Sequence, residues 1–297
     1  MKFIQLSLII GFFLSSCASE PKSELDRLYN AFESEQKPET YQPLIKEAIA
    51  VINDEESSDD ERKNAMMTGL KASKKMNNTS QAVGFLNTYL REYPDSEDRG
   101  EKLYELGVLL SDAGMQEAGV TVLQGFVDNY PDHPNVEDAR KLIPENVPTP
   151  EERLQGLGAT MFESDKGQLN KKAARSFVDV CEAYALTHPG DDRSADYLHK
   201  AAETARAMRT IPKALSLYDW ILEEYPDHKK APQALFLKAF TYDNNLGDVE
   251  NARKHYQEFL ERYPDDDFAD DTQFLLENLG KSDEEILEAL TKKNQDK

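Results

Sequence analysis

Apolar residues recur along most of this chain at intervals of three and four, which is the spacing of an amphipathic helix. The pattern is clearest in residues 211–265, where two stripes with the same spacing each end at a Tyr-Pro-Asp sequence. The stripes consist of Ala214, Tyr218, Ile221 and Leu222, and of Ala252, Tyr256, Phe259 and Leu260. The residue before a proline is pushed out of the α region, so Tyr-Pro-Asp predicts the end of each helix. A helix with one apolar face needs a neighbour to cover it, and the repetition predicts that the neighbour is the next copy.

The helix-ending sequence returns along the chain with a nearly constant period. It occupies residues 93–95, 130–132, 188–190 (as His-Pro-Gly), 225–227 and 263–265, and the intervals are 37, 58, 37 and 38 residues. A period in the thirties is typical of stacked helical hairpins, each of which contacts mainly its neighbours. The longest interval contains three prolines within residues 144–150. This segment predicts a linker that is followed by a less regular hairpin.

Residues at fixed places within the period resemble the tetratricopeptide repeat. That family's pattern has Leu-Gly in the first helix, a glycine in the turn, alanine in the second helix, and then an aromatic residue and proline. These positions are filled once by Leu106, Gly107, Gly114, Ala118, Phe126 and Pro131, and again by Ala239, Gly247, Ala252, Tyr256, Phe259 and Pro264. The resemblance covers roughly residues 60–280. It implies an all-α fold, a right-handed tetratricopeptide-like α-solenoid of about five helical hairpins with terminal capping helices.

The helical pattern predicts two blocks, residues 24–143 and 149–297, on either side of the Pro-rich linker 144–150. Ser57 and Ser58 are predicted as N-caps of the helix that follows the acidic segment, and Thr149 as the cap of the helix after the linker, because a hydroxyl can accept from the first free backbone amides. Terminal capping is assigned to two helices before the first repeat and to one after the last. The predicted helices are 24–33, 41–52, 59–76, 80–93, 97–112, 115–130, 151–162, 169–187, 192–208, 211–224, 231–244, 249–263, 267–279 and 282–291.

The first residues of the chain have the features of an export signal. Lys2 precedes the apolar run Phe3–Leu14, whose 12 residues are fewer than the ~20 that span a bilayer. The sequence Leu14-Ser15-Ser16-Cys17 then resembles a bacterial lipobox, which implies a signal peptide 1–16, a lipid on Cys17 and a tether 17–23. An ordinary cleaved signal and an uncleaved anchor are the alternatives. Because Ala18 rather than Asp follows the cysteine, the resemblance implies an outer-membrane lipoprotein that faces the periplasm.

Charge and motif content exclude several classes of function. The chain has 35 basic and 56 acidic residues and a net charge of −21, which disfavours nucleic-acid binding. The acidic segment 54–61 lacks the alternating ligands and glycine of a calcium loop, and no histidine or cysteine pair has metal-ligand spacing. No nucleophile or phosphate-binding motif is present either, so we predict no catalytic residue, no metal and no cofactor. Cys181 falls on an apolar stripe, which predicts a buried thiol.

The resemblance also suggests where partners bind. In tetratricopeptide domains that hold a C-terminal carboxylate, Lys and Asn occupy fixed first-helix positions on the concave face. The matching positions here are Tyr104, Val108, His199, Glu203, Leu237 and Thr241. The carboxylate clamp is therefore absent, and this mixed groove suits a helix or an extended peptide of a protein partner better. The alternative is that some of these side chains only pack on neighbouring helices.

The sequence therefore favours a non-enzymatic, membrane-anchored lipoprotein that acts as a protein-binding scaffold in the bacterial cell envelope. One version resembles the lipoproteins of outer-membrane β-barrel assembly. A second resembles the Tol-Pal envelope coordinators, but that family usually begins with a coiled coil and residues 24–53 show no sustained heptads. A third alternative is a surface ligand-binding lipoprotein, a class that usually carries an inserted ligand domain.

Overall fold

The computed structural model describes residues 23–161, 169–281 and 284–285, and these ranges contain helices and turns without a strand. A π-helical turn, Tyr242–Leu246, follows directly on the twelfth helix. The α-helices in the described ranges are α1 Glu24–Ser34, α2 Pro38–Asn53, α3 Asp59–Lys75, α4 Thr79–Glu92, α5 Arg99–Asp112, α6 Gln116–Asn129, α7 Val136–Leu142, α8 Pro150–Met161, α9 Lys171–Thr187, α10 Asp192–Ala207, α11 Ile211–Glu224, α12 Ala231–Thr241, α13 Val249–Arg262 and α14 Ala269–Asn278.

Two helix starts show how side chains satisfy free backbone amides. Ser58 and Glu61 form a capping box at the start of α3, in which the Glu61 amide donates to the Ser58 hydroxyl at 3.4 Å and the Ser58 amide donates to the Glu61 carboxylate at 2.9 Å. Thr149 and Glu152 make the same reciprocal pair at the start of α8, at 3.0 and 3.2 Å. The predicted caps at Ser58 and Thr149 are therefore confirmed.

The chain folds into two compact units, residues 1–82 and 83–297. In the first unit, α1, α2 and α3 pack around fully buried side chains such as Phe32, Leu44 and Met66. The Tyr41 and Ser73 hydroxyls add a buried hydrogen bond of 3.0 Å between α2 and α3. These contacts give the first unit an apolar core of its own.

In the second unit, consecutive helices pack as hairpins, α5 with α6, α8 with α9, α10 with α11, and α12 with α13. Each hairpin also packs on the next helix of the chain, through α6 with α7, α9 with α10, α11 with α12, and α13 with α14. The second helix of each hairpin carries a fully buried aromatic residue, and these residues are Phe126, Tyr184, Tyr218 and Tyr256. The predicted stripes are therefore the faces that the hairpins bury.

The Pro-rich segment does not divide the structure as the sequence suggested. Helix α6 packs directly on α9, and a Cβ added to Gly125 in α6 would lie only 2.4 Å from the Cβ of Thr187 in α9. Arg153 on α8, 5% exposed, pairs with Glu117 on α6 at 2.9 Å. The second unit therefore runs through residues 144–150, and the predicted division into blocks 24–143 and 149–297 is not the boundary that the structure has.

Three further differences concern individual elements. Residues 136–142 form α7, which packs on α6, although no helix was predicted between residues 130 and 151. The π-helical turn Tyr242–Leu246 ends at Gly247 with φ of +63°, and its wider turn accommodates the extra residue of the 38-residue interval. The predicted signal peptide and the predicted helix 282–291 lie outside the described residues, apart from the helical residues 284–285.

Candidate functional site

A cleft of about 610 Å³ opens among α8, α9 and α10 in the second unit. Its deepest part is apolar, because Leu154, Met161 and Phe177 line it and are only 3%, 4% and 6% exposed. Tyr197 and Ala207 of α10 continue this apolar lining on the other side. Clefts of this size and composition are the common form of a binding site for a side chain, a peptide or a small ligand.

Glycine in α8 keeps the cleft open. Gly158 lines it, and a Cβ added there would meet only the Phe177 ring, at 3.9 Å. Gly156 lies on the same helix but outside the cleft, and a Cβ there would meet nothing within 4 Å. Glycine within a helix destabilises the fold by roughly 0.5–1 kcal/mol relative to alanine. The chain therefore has glycine at Gly158 although alanine would be the better helix former.

The rim of the cleft is polar and carries both signs of charge. Glu151 forms an ion pair of 2.8 Å with Arg193, which also pairs with Asp191 at 2.7 Å. The Arg193 guanidinium lowers the pKa of Asp191 to about 2, through its hydrogen bond to that carboxylate. The Lys200 ammonium lies 5.7 Å from the centre of the Tyr197 ring. These contacts hold α8 and α10 in place on either side of the cleft.

Glu203 supplies negative charge at the rim. Its carboxylate is 3.3 Å from Nδ1 of His199, one turn earlier on α10. Burial lowers the pKa of His199, so the imidazole is neutral at neutral pH and does not neutralise the carboxylate. A partner that brings a basic group to Glu203 would therefore meet a carboxylate that has no cationic ion-pair partner among the described residues.

The structure places the sequence-predicted residues in several different environments. Glu203 lines the cleft, and it is the one predicted residue that does so. His199 is 5% exposed and Thr241 is fully buried, with its hydroxyl donating to the Leu237 carbonyl at 2.6 Å. Neither His199 nor Thr241 presents its side chain on an open surface, so the expectation that they face a partner is corrected.

The other three predicted residues are half-buried and lie elsewhere. The Tyr104 ring packs on Phe126 of the same hairpin, with 5.6 Å between the ring centres. Val108 also belongs to α5, and Leu237 belongs to α12. A role for Tyr104, Val108 and Leu237 in binding a partner stays a prediction.

Many of the residues that build the cleft were missed because they belong to the hairpin of α8 and α9. Sequence reasoning took first-helix positions only from hairpins that match the repeat pattern, and α8 does not match it. Leu154 and Met161 therefore went unnoticed. The available signal was the pair Gly156 and Gly158, two small residues in an otherwise regular helical pattern.

Three further features concern metal binding, the free cysteine and the membrane. Within the part of the chain that the structure describes, no group of three or more His, Cys, Asp or Glu side chains is arranged to hold a metal ion. Cys181 is fully buried, as predicted, and burial raises the pKa of its thiol well above the usual range. Among the described helices, none combines the length and the apolar character needed to cross a bilayer.

Comparisons with known proteins identify the repeats. Residues 68–96, 103–133 and 233–266 match the family model described as the tetratricopeptide repeat. A solved structure, described as the crystal structure of MamA protein, is similar over 68% of this chain and 92% of that chain, with 15% sequence identity and a TM-score of 0.30. A search of curated proteins finds no match. The chain therefore carries tetratricopeptide repeats, and its all-α fold belongs to the α-solenoid class.

Proposed function

We propose that this protein is a non-enzymatic scaffold that binds partner proteins in the cleft among α8, α9 and α10 and is tethered by a lipid on Cys17 to a membrane of the bacterial envelope. The observation that carries the proposal is the open apolar cleft, about 610 Å³, in an array with tetratricopeptide repeats. Proteins with such repeats commonly bind other proteins. The cleft supplies a place for that binding.

The occupant that fits best is an amphipathic helix or extended segment with apolar and basic side chains. Apolar anchors would be desolvated against Leu154, Met161 and Phe177, which is how a few side chains come to dominate an interface. A basic side chain would meet the carboxylate of Glu203. The net charge of −21 favours the same partner, because a negative field mainly raises the association rate of a basic protein.

Gly158→Leu tests the cleft with little risk to the fold. The new side chain would enter the cleft, and replacing a helical glycine by leucine improves helix propensity by up to ~1 kcal/mol. Gly156→Leu is the matched control, because it makes the same change on the same helix outside the cleft. In pull-downs from detergent-solubilised envelopes, we expect Gly158→Leu to lose partners that the wild type and Gly156→Leu both retain.

Equal recovery of those partners by both variants would place binding elsewhere. The pair Tyr104→Ala with Leu237→Ala then becomes the decisive variant, since these half-buried residues are the anchors that the sequence predicts. Loss of partners in that double variant alone would move the binding surface to α5 and α12.

The tether and the pathway rest on the sequence. The apolar run Phe3–Leu14 followed by Leu14-Ser15-Ser16-Cys17 supports export and lipidation. We place the protein at the periplasmic face of an outer membrane, with a role in outer-membrane assembly as the leading version and Tol-Pal-type coordination as the alternative. Pull-down partners distinguish the two, because assembly factors would be recovered in the first case and Tol-Pal components in the second.

A second candidate function is supported by the size of the cleft. A volume of about 610 Å³ lies within the ~300–1,000 Å³ of small-ligand sites, so a surface lipoprotein that binds a small apolar ligand would use the same residues. Displacement of an environment-sensitive apolar dye separates the two functions. A partner peptide that displaces the dye supports the scaffold, whereas displacement only by small apolar molecules supports the ligand-binding lipoprotein.

A further inference from the structure

A second pocket, of about 380 Å³, lies between the start of α6 and the first turns of α9. The turn Gly114–Ala118 forms one wall. The other wall is one face of α9, where Lys172, Arg175 and Ser176 follow one another at helical spacing and Lys171 adds a third cation. This pocket is separate from the cleft of the proposed function, since the two have no lining residue in common.

The basic side chains of this pocket form no ion pair with a carboxylate of the described residues, although Arg175 and Asp179 interact at longer range. In the ranges that the structure describes, no carboxylate lies within the 4.0 Å of an ion pair from Lys171, Lys172 or Arg175. Other cations of the same unit are paired closely, such as Lys213 with Glu182 at 2.8 Å. With 56 acidic and 35 basic residues in the chain, three adjacent unpaired cations run against the overall charge balance.

Two carboxylates also line the pocket, and neither cancels these charges. Glu117 is held by the buried Arg153, with 2.9 Å between its oxygen and Nε. Asp179 lies one turn beyond Arg175, and burial raises its pKa to about 6, with Glu182 adding to the rise and Lys213 and Arg175 opposing it. Asp179 therefore loses its charge in mildly acidic solution while the three cations keep theirs.

We infer that this pocket binds a phosphoryl group, carried by a soluble phosphate ester or by a lipid headgroup. Ammonium and guanidinium groups form short, charge-assisted hydrogen bonds to phosphate oxygens, and a guanidinium can bind two oxygens at once. The Ser176 hydroxyl has no hydrogen bond within the described residues and adds a neutral donor. The first amides of α9 are not needed, since those of Lys172 and Ala173 already donate to the Asn170 side chain at 3.2 Å.

Phosphoryl binding at this pocket is separate from the proposed scaffold function, and an experiment can reject either proposal without rejecting the other. Calorimetric titration of the full chain with sulfate, at constant ionic strength maintained with chloride, should give saturable one-to-one binding. The variant Lys172→Gln with Arg175→Gln should weaken it by about tenfold or more, because it removes two charge-assisted contacts. The control Lys71→Gln with Arg253→Gln removes the same charge from exposed positions elsewhere, and it should stay within about twofold of the wild type.

Sulfate also allows a pH test that locates the site, because its own charge does not change between about pH 5 and about pH 8. Affinity should rise as the pH falls through the pKa of Asp179, about 6, since a neighbouring negative charge is then removed. In Asp179→Asn this rise should be absent. A rise of equal size in that variant would mean that another group responds, and it would count against the pocket.

The two sources of the phosphoryl group are distinguished with Cys17→Ala protein, so that no acyl chain contributes. Binding of glycerol phosphate in solution identifies a soluble ester. Binding to phosphatidylcholine vesicles that contain phosphatidic acid, and not to phosphatidylcholine alone, identifies a lipid headgroup. The inference is overturned if sulfate, glycerol phosphate and the vesicles all fail to bind, or if the Lys172→Gln, Arg175→Gln variant binds as well as its control.

Discussion

Arg99 illustrates how a single residue supports the helix-ending pattern. It is 5% exposed, and its guanidinium donates to the Leu90 carbonyl at 2.5 Å and to the Leu186 carbonyl at 2.6 Å. The Leu90 carbonyl has no helical donor, because the residue four positions later is Pro94. Both carbonyls lie in the last turn of a helix, where the backbone carries partial negative charge. Arg99 therefore donates to free carbonyls at two helix ends, and the partial negative charge there offsets the cost of burying the guanidinium.

We expect Arg99→Met to lower the free energy of unfolding of the second unit by about 2–4 kcal/mol. Methionine fills similar space, but it leaves the Leu90 and Leu186 carbonyls buried without their charged donor. Arg193→Met is the control, since Arg193 is exposed and surface ion pairs contribute little to the free energy of unfolding. Urea denaturation of both variants measures the difference. Similar midpoints would mean that Arg99 fills space without holding the helix ends.

The burial of single residues was predicted correctly from the sequence in some cases and not in others. Cys181 falls within an apolar stripe of α9, and its burial follows from the stripe alone. Thr241 and His199 were placed by their alignment with a binding motif, and both are buried instead. A polar residue can be buried when a partner is close, as the Leu237 carbonyl is to the Thr241 hydroxyl, and alignment does not reveal such a partner.

At the scale of elements, helix boundaries followed closely from the pattern. Helix α11 has the predicted limits, 211 and 224, because a proline near its start and Tyr-Pro at its end fix both. The contact between α6 and α9 was not predictable, since it joins hairpins across the Pro-rich segment, and α7 fills part of that interval. The cleft depends on that arrangement and on the missing side chain at Gly158, and neither feature follows from the repeat pattern of the sequence.

Gly125 is where the contact between α6 and α9 can be tested. A Cβ there would lie 2.4 Å from the Thr187 Cβ, and Thr187 is short and β-branched, so it cannot move aside without its backbone. We expect Gly125→Ala to cost ~1–3 kcal/mol through overpacking, although alanine is the better helix former. Gly84→Ala in α4 is the opposite case, because a Cβ there meets nothing within 4 Å.

Chemical denaturation of the two alanine variants provides the comparison. Gly84→Ala should stabilise the protein by up to ~1 kcal/mol, which is the gain in helix propensity alone. Amide exchange should place the loss from Gly125→Ala in α6 and α9, where the clash lies. Stabilisation by both substitutions would show that α6 and α9 are not in close contact at this point.

At the scale of the whole molecule, the features with proposed roles lie in the second unit or near the start of the sequence. The apolar cleft and the basic pocket both belong to residues 83–297. The proposed lipid site at Cys17 precedes the described residues. A negative molecule with a local basic pocket can attract basic partners over a distance and still bind an anion at short range, because salt screens the long-range field more than close contacts.

The tether gives the last prediction, in which the two cysteines serve as test and control. Two or three acyl chains at ~0.8 kcal/mol per buried CH₂ hold a protein almost permanently on a membrane, so Cys17→Ala should leave the membrane fraction or accumulate unprocessed. Cys181→Ala should remain membrane-bound, because its thiol is fully buried and unavailable for acylation. Metabolic labelling with a fatty-acid analogue measures this directly, with circular dichroism to verify that both variants keep their helices. Labelling of Cys17→Ala at the wild-type level would rule out the lipid at this position.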